Sequence, residues 1–328
     1  MKFIHEPVLV EELLQHMPIS EMKLIIDATI GLGGHARHFL SKTDAHLVGI
    51  DLDRESLRIA EDNLIAYAGR ITLVEDNFRN IKEIAERLEL ESIDFICADL
   101  GLSSFQLNCE KRGFSFTKDG PLDMRYSDRM KADAANLVNN LGYQELVALF
   151  RKYGEEPRAH RIAEEILRER RTGSITSTMQ LAEIIRRAKA KRSRKHDPAT
   201  LVFQALRIAV NEELENLTIF LRDAFDVLNR RGYLAIIAYH SLEDRIVKTA
   251  FRQLAARCRC ELSRCSCEGK PVGRLVNKKV IKPSREEIIR NPQARSAKLR
   301  IIEKISHVQF PQFLAAQCPD RHILFSSL

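Results

Sequence analysis

Apolar and polar residues follow one another in blocks along the first hundred positions, and each block has the length of one strand or one helix. Leu24-Ile25-Ile26-Asp27-Ala28 reads as a strand, followed by a glycine-rich turn and a helix over residues 35–41. Leu47-Val48-Gly49-Ile50-Asp51 reads as a second strand, and the helical stretch after it, 56–67, sets Leu57, Ala60 and Leu64 on one face. A third strand is expected over 71–74, a helix over 81–88 and a fourth strand over 93–98. Strand and helix alternating at this pace imply right-handed βαβ units and a parallel, doubly wound sheet.

The rhythm then changes. Between about residue 107 and about residue 200 the spacing predicts amphipathic helices over 132–139, 143–153, 157–170 and 178–190, with no buried strand among them. Pro157 suits a first helical turn, where its missing N–H has no partner to lose. A long helix is expected over 203–228, and Tyr233-Leu234-Ala235-Ile236-Ile237-Ala238-Tyr239 returns as a buried strand. Two more strands, over 275–281 and 297–302, flank a short helix whose expected N-cap is Ser284, with Glu287 three residues on. The organisation is an α/β domain made of residues 1–106 and 203–328, interrupted by an inserted all-helical domain over 107–202. No internal repeat is present.

Length and composition suit this plan: 328 residues allow about two domains, and 45% hydrophobic with 30% charged residues is ordinary for a globular chain. No apolar run approaches the ~18 residues of a membrane span, and Glu6, Glu11 and Glu12 interrupt the place of a secretory signal. A cytosolic protein is expected. The net charge of +7 is modest but clustered. RRAKAKRSRKH, from Arg186 to His196, holds seven Lys or Arg and no acid; from Lys270 to Lys304 there are eleven basic residues against three acidic. Such clusters suit a polyanion, most plausibly nucleic acid, although the first run also suits a solvated loop. Of seven cysteines, Cys97, Cys109 and Cys318 are isolated and read as free thiols. Cys258, Cys260, Cys265 and Cys267 form a CxC–x4–CxC cluster. Four thiolates can close a zinc site, but the spacing is tighter than the usual CxxC pairs, so reduced surface thiols are expected and no metal is assigned.

The chemistry concentrates where strands end. The first strand runs into Asp27-Ala28-Thr29-Ile30-Gly31-Leu32-Gly33-Gly34-His35. A glycine-rich turn between strand and helix lets a ligand approach the backbone, but the third glycine of a dinucleotide fingerprint is missing, which argues against a pyrophosphate cradle. Twenty residues beyond Gly31, Asp51 closes the second strand, where a carboxylate can accept both hydroxyls of a ribose. The third strand leads to Glu75-Asp76-Asn77-Phe78, with an aromatic ring able to pack on adenine, and the fourth ends at Asp99. In a doubly wound sheet these carboxyl ends converge on one crevice. An adenosine-sized ligand with no phosphate requirement points to S-adenosylmethionine.

The chain resembles the RsmH (MraW) family of ribosomal RNA small-subunit methyltransferases nearly throughout, from HEPVLVEELL at His5 to NPQARSAKLR at Asn291. The resemblance is carried by DATIGLGGH, GIDLD, DLGLSSFQL, RGFSFTKDGPLDMR (Arg112 to Arg125), YGEE at Tyr153, FQALRIAVNEEL at Phe203 and HSLEDR (His240 to Arg245). It implies a Rossmann-like S-adenosylmethionine-dependent methyltransferase sheet with an inserted helical substrate-recognition domain. It also implies N4-methylation of a decoding-site cytosine in 16S rRNA, with the small ribosomal subunit as partner and neither membrane nor DNA involved. Donor contacts are implied for Gly33, Gly34, His35, Asp51, Phe78, Asp99 and Gln106. The chain departs from the family pattern at Phe105 (often Pro), Pro157 (Arg), Asp197 (His) and Leu201 (Arg). The last pair removes positive character beside the implied RNA face, and the adjacent basic run is a candidate to compensate.

Methyl transfer from a sulfonium is an in-line displacement whose main demand is alignment. The cytosine N4 lone pair is delocalised into the ring, so an acceptor for the amino hydrogens would localise it and stabilise the developing charge. The tetrad that base amino-methyltransferases often use is replaced here by Asp99-Leu100-Gly101-Leu102. Asp123, in DGPLDMR, and His240, in YHSLEDR, are the candidate acceptors, with structural roles (an ion pair with Arg125 or Arg112, a helix cap) as the alternatives. The target base is expected to swing out of its stack. Two other functions compete: a nicotinamide-dependent oxidoreductase, disfavoured by the incomplete glycine fingerprint, and a non-catalytic assembly factor that senses the nucleoside.

Overall fold

The computed structural model of the chain describes residues 6–128, 130, 132–189, 197–257 and 270–306. The four clustered cysteines, Cys318 and most of the basic run beyond Lys189 lie outside these residues. Contacts divide the chain into two compact units, one over residues 102–213 and one made of the segments before and after it.

The α/β unit is built on seven strands: β1 (Leu24–Asp27), β2 (His46–Asp51), β3 (Ile71–Glu75), β4 (Ile93–Asp99), β5 (Leu228–Ala238), β6 (Gly273–Leu275) and β7 (Lys298–Lys304). They form one sheet in the order β3-β2-β1-β4-β5-β7-β6. The first five run parallel, whereas β7 is antiparallel to both β5 and β6. The order reverses between β1 and β4, which places a topological switch at the carboxyl ends of these two strands. Helices α1 (Val10–His16), α2 (Gly34–Leu40), α3 (Arg54–Asn63) and α4 (Ile81–Arg87) belong to the leading segment. The helical unit carries α5 (Ser104–Asn108), α6 (Ala134–Asn140), α7 (Tyr143–Gly154), α8 (Ala159–Arg170), α9 (Thr178–Lys189) and α10 (Thr200–Asn211). Then come α11 (Glu213–Val227), α12 (Ser241–Leu254) and α13 (Arg285–Arg290).

The strands are apolar without alternation because both faces of the sheet are covered. Successive residues feed opposite cores. Ile26, Val48, Ile96 and Ile236 pack with Ile84 of α4, Phe220 and Phe225 of α11, and Phe251 of α12. Ile25, Leu47, Phe95 and Ile237 pack with Leu13 of α1, Phe39 of α2 and Leu57 of α3. One strand position requires glycine: a Cβ on Gly49 of β2 would stand 2.2 Å from Ile30 Cδ1, which lies where the chain leaves β1. The helical unit has its own core, with Leu146 and Phe150 of α7, Ile162 and Ile166 of α8, Leu181 and Ile185 of α9, and Val202 and Leu206 of α10. Among the described residues no helix is long and apolar enough to cross a membrane.

Most expected elements form within a residue or two of their predicted ends, and Ser284 caps α13 by accepting from the Glu287 amide at 3.1 Å. Four expectations are corrected. The helix over 203–228 divides into α10 and α11 because Glu212 takes the left-handed conformation, φ 51°. There the Asn211 side-chain amide turns back to the carbonyls of Arg207 and Met124. Pro157 precedes the first turn instead of occupying it, since α8 starts at Ala159 with Arg158 as its N-cap. Strand β5 begins at Leu228, five residues early, and absorbs the polar Asn229–Gly232 stretch through a register shift against β4, with Arg231 at φ 68°. Strand β6 ends at Leu275, where its start was expected, and Ile281 makes only an isolated bridge to Leu299.

The described cations of the basic run are engaged within the chain. Asp197 Oδ2 accepts from Arg186 Nη2 at 2.9 Å, and Arg187 pairs with Glu169. The Lys189 ammonium donates to the Pro198 carbonyl at 2.7 Å and pairs with Glu156.

Candidate active site

Three parallel strands of the α/β unit end in aspartate: β1 in Asp27, β2 in Asp51 and β4 in Asp99. Each terminates an apolar strand at the sheet's carboxyl edge. Gly31 and Gly33, both at positive φ (50° and 83°), turn the chain from β1 into α2. A Cβ on Gly33 would press to 2.8 Å from Leu64 Cδ1. At Gly31 a Cβ would meet only the Thr29 carbonyl oxygen, at 3.9 Å, so the turn presents bare backbone to open space.

Hydrogen bonds tie these tips together. The Gly31 amide donates to Asp51 Oδ2 at 2.9 Å, and the Asp53 amide donates to Asp51 Oδ1 at 2.9 Å. The Asp76 amide donates to the Asp51 carbonyl at 3.1 Å, bringing the end of β3 alongside. The Asp99 amide donates to Thr29 Oγ1 at 2.7 Å, and the Tyr239 hydroxyl donates to Asp99 Oδ1 at 2.8 Å. Asp99 Oδ2 lies 3.8 Å from His35 Nδ1, whose other ring nitrogen contacts the Val8 carbonyl at 2.9 Å.

The electrostatics follow from crowding acids where water is scarce. Burial pushes Asp27 and Asp51 each up to about 6. Burial pushes Asp99 to about 7, against the lowering effect of the Tyr239 hydroxyl and with help from the Glu243 charge. Burial also pushes His35 below the usual histidine range. Among the described residues no lysine or arginine pairs with Asp27, Asp51 or Asp99. Buried carboxylates are normally paired with a cation, so this edge suits a ligand that brings positive charge.

Seven of the nine residues singled out from the sequence fall in the α/β unit. Gly33, Gly34, His35, Asp51 and Asp99 stand at the carboxyl edge. Phe78 follows β3, half-buried, its ring held edge-on against Phe220 at 5.0 Å between centroids. His240 is the N-cap of α12: its Nδ1 accepts from the Glu243 amide at 3.3 Å, and its own amide donates to Glu243 Oε2 at 3.2 Å. With Nδ1 an acceptor, a neutral ring carries its proton on Nε2. Nε2 lies 3.0 Å from Glu243 Oε1, at an angle that makes no hydrogen bond.

The other two belong to the helical unit. Gln106 is buried and closes a capping box on α5, its Oε1 accepting from the Ser103 amide at 3.1 Å. Asp123 forms a two-pronged pair with Arg125, Nε to Oδ1 and Nη2 to Oδ2, both at 2.8 Å. Partial burial alone would raise its pKa, but the Arg125 hydrogen bonds and charge outweigh burial and hold it below the usual range.

Sequence reasoning missed Asp27, Thr29, Tyr239 and Glu243. A signal for Asp27 was present, since it ends an apolar strand just as Asp51 and Asp99 do. Tyr239 and Glu243 show none, because their role depends on β5 and α12 lying beside β4.

This order of strands, with an antiparallel β7 beside the parallel five and an acidic edge at the switch, defines a Rossmann-like methyltransferase sheet. The chain belongs to the MraW methylase family, whose model matches residues 2–305. It is similar to the ribosomal RNA small subunit methyltransferase H of Carboxydothermus hydrogenoformans, at 43% identity over 93% of this chain and 99% of that protein. It is also similar to the protein of that name in Dehalococcoides mccartyi, at 44% identity over 93% of this chain and 87% of the other. A solved rRNA methylase from Streptococcus thermophilus covers 89% of this chain and 95% of its own, with 11% identity and a TM-score of 0.37, too loose a likeness to add to the assignment.

Proposed function

We propose that this chain transfers a methyl group from S-adenosylmethionine to the exocyclic N4 of a decoding-site cytosine in 16S rRNA, within the small ribosomal subunit and in the cytoplasm. The observation that carries the reading is the row of Asp27, Asp51 and Asp99, three carboxylates that among the described residues pair with no lysine or arginine, beside a glycine turn open to a ligand. The donor fits this row, because it has ribose hydroxyls for Asp51 and positive charge for Asp27 and Asp99. When bound, it supplies a methyl group already activated on a sulfonium.

The protein's share is to hold and to orient. Gly33, Gly34 and His35 form the turn against which the donor lies. Asp51, fixed by the Gly31 and Asp53 amides, accepts from the ribose, and Phe78, braced by Phe220, offers a ring face to adenine. The resemblance to the family implies a donor contact from Gln106 as well. The helical unit, residues 107–202 at its core, is the substrate-recognition element. Asp123 is the favoured acceptor for the N4 hydrogens, because its Oδ2 takes only one hydrogen bond from Arg125 and keeps a lone pair. His240 is committed to capping α12, so its contribution is to place the loop after β5.

Membership in a methylase family gives a nicotinamide-dependent oxidoreductase no support, and it favours catalysis over a donor-sensing assembly role. The test is transfer of tritiated methyl from S-adenosylmethionine onto small subunits purified from cells lacking this protein, with the modified nucleoside mapped. Label in a single N4-methylcytidine is the expected result. No label on subunits or on free 16S rRNA, with the donor bound, would replace the enzyme by the assembly factor. Asp123→Ala is expected to lower turnover with donor affinity intact.

A further inference from the structure

The donor reading does not use Tyr239, a half-buried side chain whose surroundings are more constrained than a strand end requires. Its hydroxyl donates to Asp99 Oδ1 at 2.8 Å, and its amide donates to Glu243 Oε2 at 2.9 Å. The ring lies against Gly101, where a Cβ would come within 3.3 Å of Tyr239 Cδ2. Gly101 has φ +109°, a conformation that L side chains rarely adopt. The chain leaving β4 therefore bends around the ring, and the Leu100 amide pins that bend to the Ile237 carbonyl at 2.9 Å. Asp99 is thus fixed in orientation, with Oδ1 occupied and Oδ2 toward the glycine turn, 3.8 Å from His35.

We propose that Tyr239 is a positioning residue: its hydroxyl holds one oxygen of Asp99 so that the other meets the positive charge of the donor. The inference rests on the reading that S-adenosylmethionine binds at this edge. A hydrogen bond to a carboxylate favours its charged form, so the same contact lets Asp99 ionise at a lower pH than burial and Glu243 alone would allow. The groups facing Asp99 are Asp27 at the end of β1, His35 on α2, Cys97 on its own strand, Tyr239 after β5 and Glu243 on α12. None is a fixed cation, so among the described residues the Tyr239 hydroxyl is the partner that counteracts burial.

Tyr239→Phe removes the hydroxyl and keeps the ring against Gly101. Asp99 then protonates at a higher pH, and the variant binds the donor about tenfold more weakly than wild type below about pH 7 for each unit that Asp99 rises. The deficit shrinks as pH rises past the point where Asp99 is ionised in both proteins, leaving only the smaller, pH-independent loss that comes from an Asp99 no longer held in place. Calorimetric titration with S-adenosylmethionine across this range reads the effect, and comparison at each pH cancels the donor's own titration. In methyl transfer the same pattern is expected in KM for the donor, its rise largest in acid, with a smaller change in kcat. In an Asp99→Asn background, Tyr239→Phe has no further pH-dependent effect. A uniform loss at every pH, an unchanged profile, or a persisting shift in the Asp99→Asn background overturns the proposal. Failure of the wild type to bind the donor overturns the donor reading and the role of Tyr239 together.

Discussion

The Leu9 amide donates to the Glu287 carboxylate at 2.7 Å, closing a contact between residues 278 positions apart. Leu9 is buried and left-handed, φ 58°, a costly conformation for leucine. The adjacent Val8 carbonyl holds the His35 ring, so α13 fastens the leading segment onto the glycine turn. Glu287→Ala leaves a buried amide without its acceptor and is expected to cost about 1–3 kcal/mol. Glu287→Gln keeps an acceptor and is expected to lose much less. Thermal unfolding of the two variants checks this; equal melting temperatures would remove the strap from the account.

The three edge aspartates make a signed prediction about pH. Their folded-state values, about 6 for Asp27 and Asp51 and about 7 for Asp99, lie above the ordinary 3.8. Between these limits the folded protein binds more protons than the unfolded chain, so the stability these groups contribute is present in acid and lost as pH rises through about 6–7. A cationic donor relieves the uncompensated charge. The gain in melting temperature on adding S-adenosylmethionine is therefore expected to be larger near pH ~8 than near pH ~5.5. A larger gain in acid would contradict it.

Asp197, one of the departures from the family pattern, engages Arg186 through Nε at 3.2 Å and Nη2 at 2.9 Å. It also accepts from the Ala199 amide at 2.8 Å. Asp197→Asn keeps an acceptor for Ala199 and releases the guanidinium. If the helical unit meets rRNA through this segment, the variant binds 16S rRNA more tightly at low salt, and its log K against log salt slope steepens by about 0.7–0.9. An unchanged slope would take Arg186 out of the RNA face.

The α/β plan was legible because its strands are apolar runs with nowhere to go but a sheet covered on both faces, the first four each closed by an acidic residue. Asp51 and Asp99 could be picked out for the same reason. The break at Glu212 was hidden because apolar periodicity continues across it; what stops the helix is backbone conformation and the Asn211 side chain reaching Met124 in another segment. The early start of β5 was hidden by the polar Asn229, Arg230 and Arg231, which interrupt the apolar run and join the strand through a register shift against β4. Asp123 and His240 were named as acceptors with their structural alternatives, and the ion pair with Arg125 and the cap of α12 are both formed. Tyr239 and Glu243 left no trace in the sequence, since their partners are set by strand order.

Calorimetric titration of the wild type and Asp51→Ala with S-adenosylmethionine tests most directly the claim that this acidic edge holds the donor. The account predicts binding of one donor per chain by the wild type and a loss of at least about tenfold in the variant, as removal of a charge-assisted hydrogen bond requires. A wild type that does not bind, or a variant that binds as tightly with its fold intact, would contradict it.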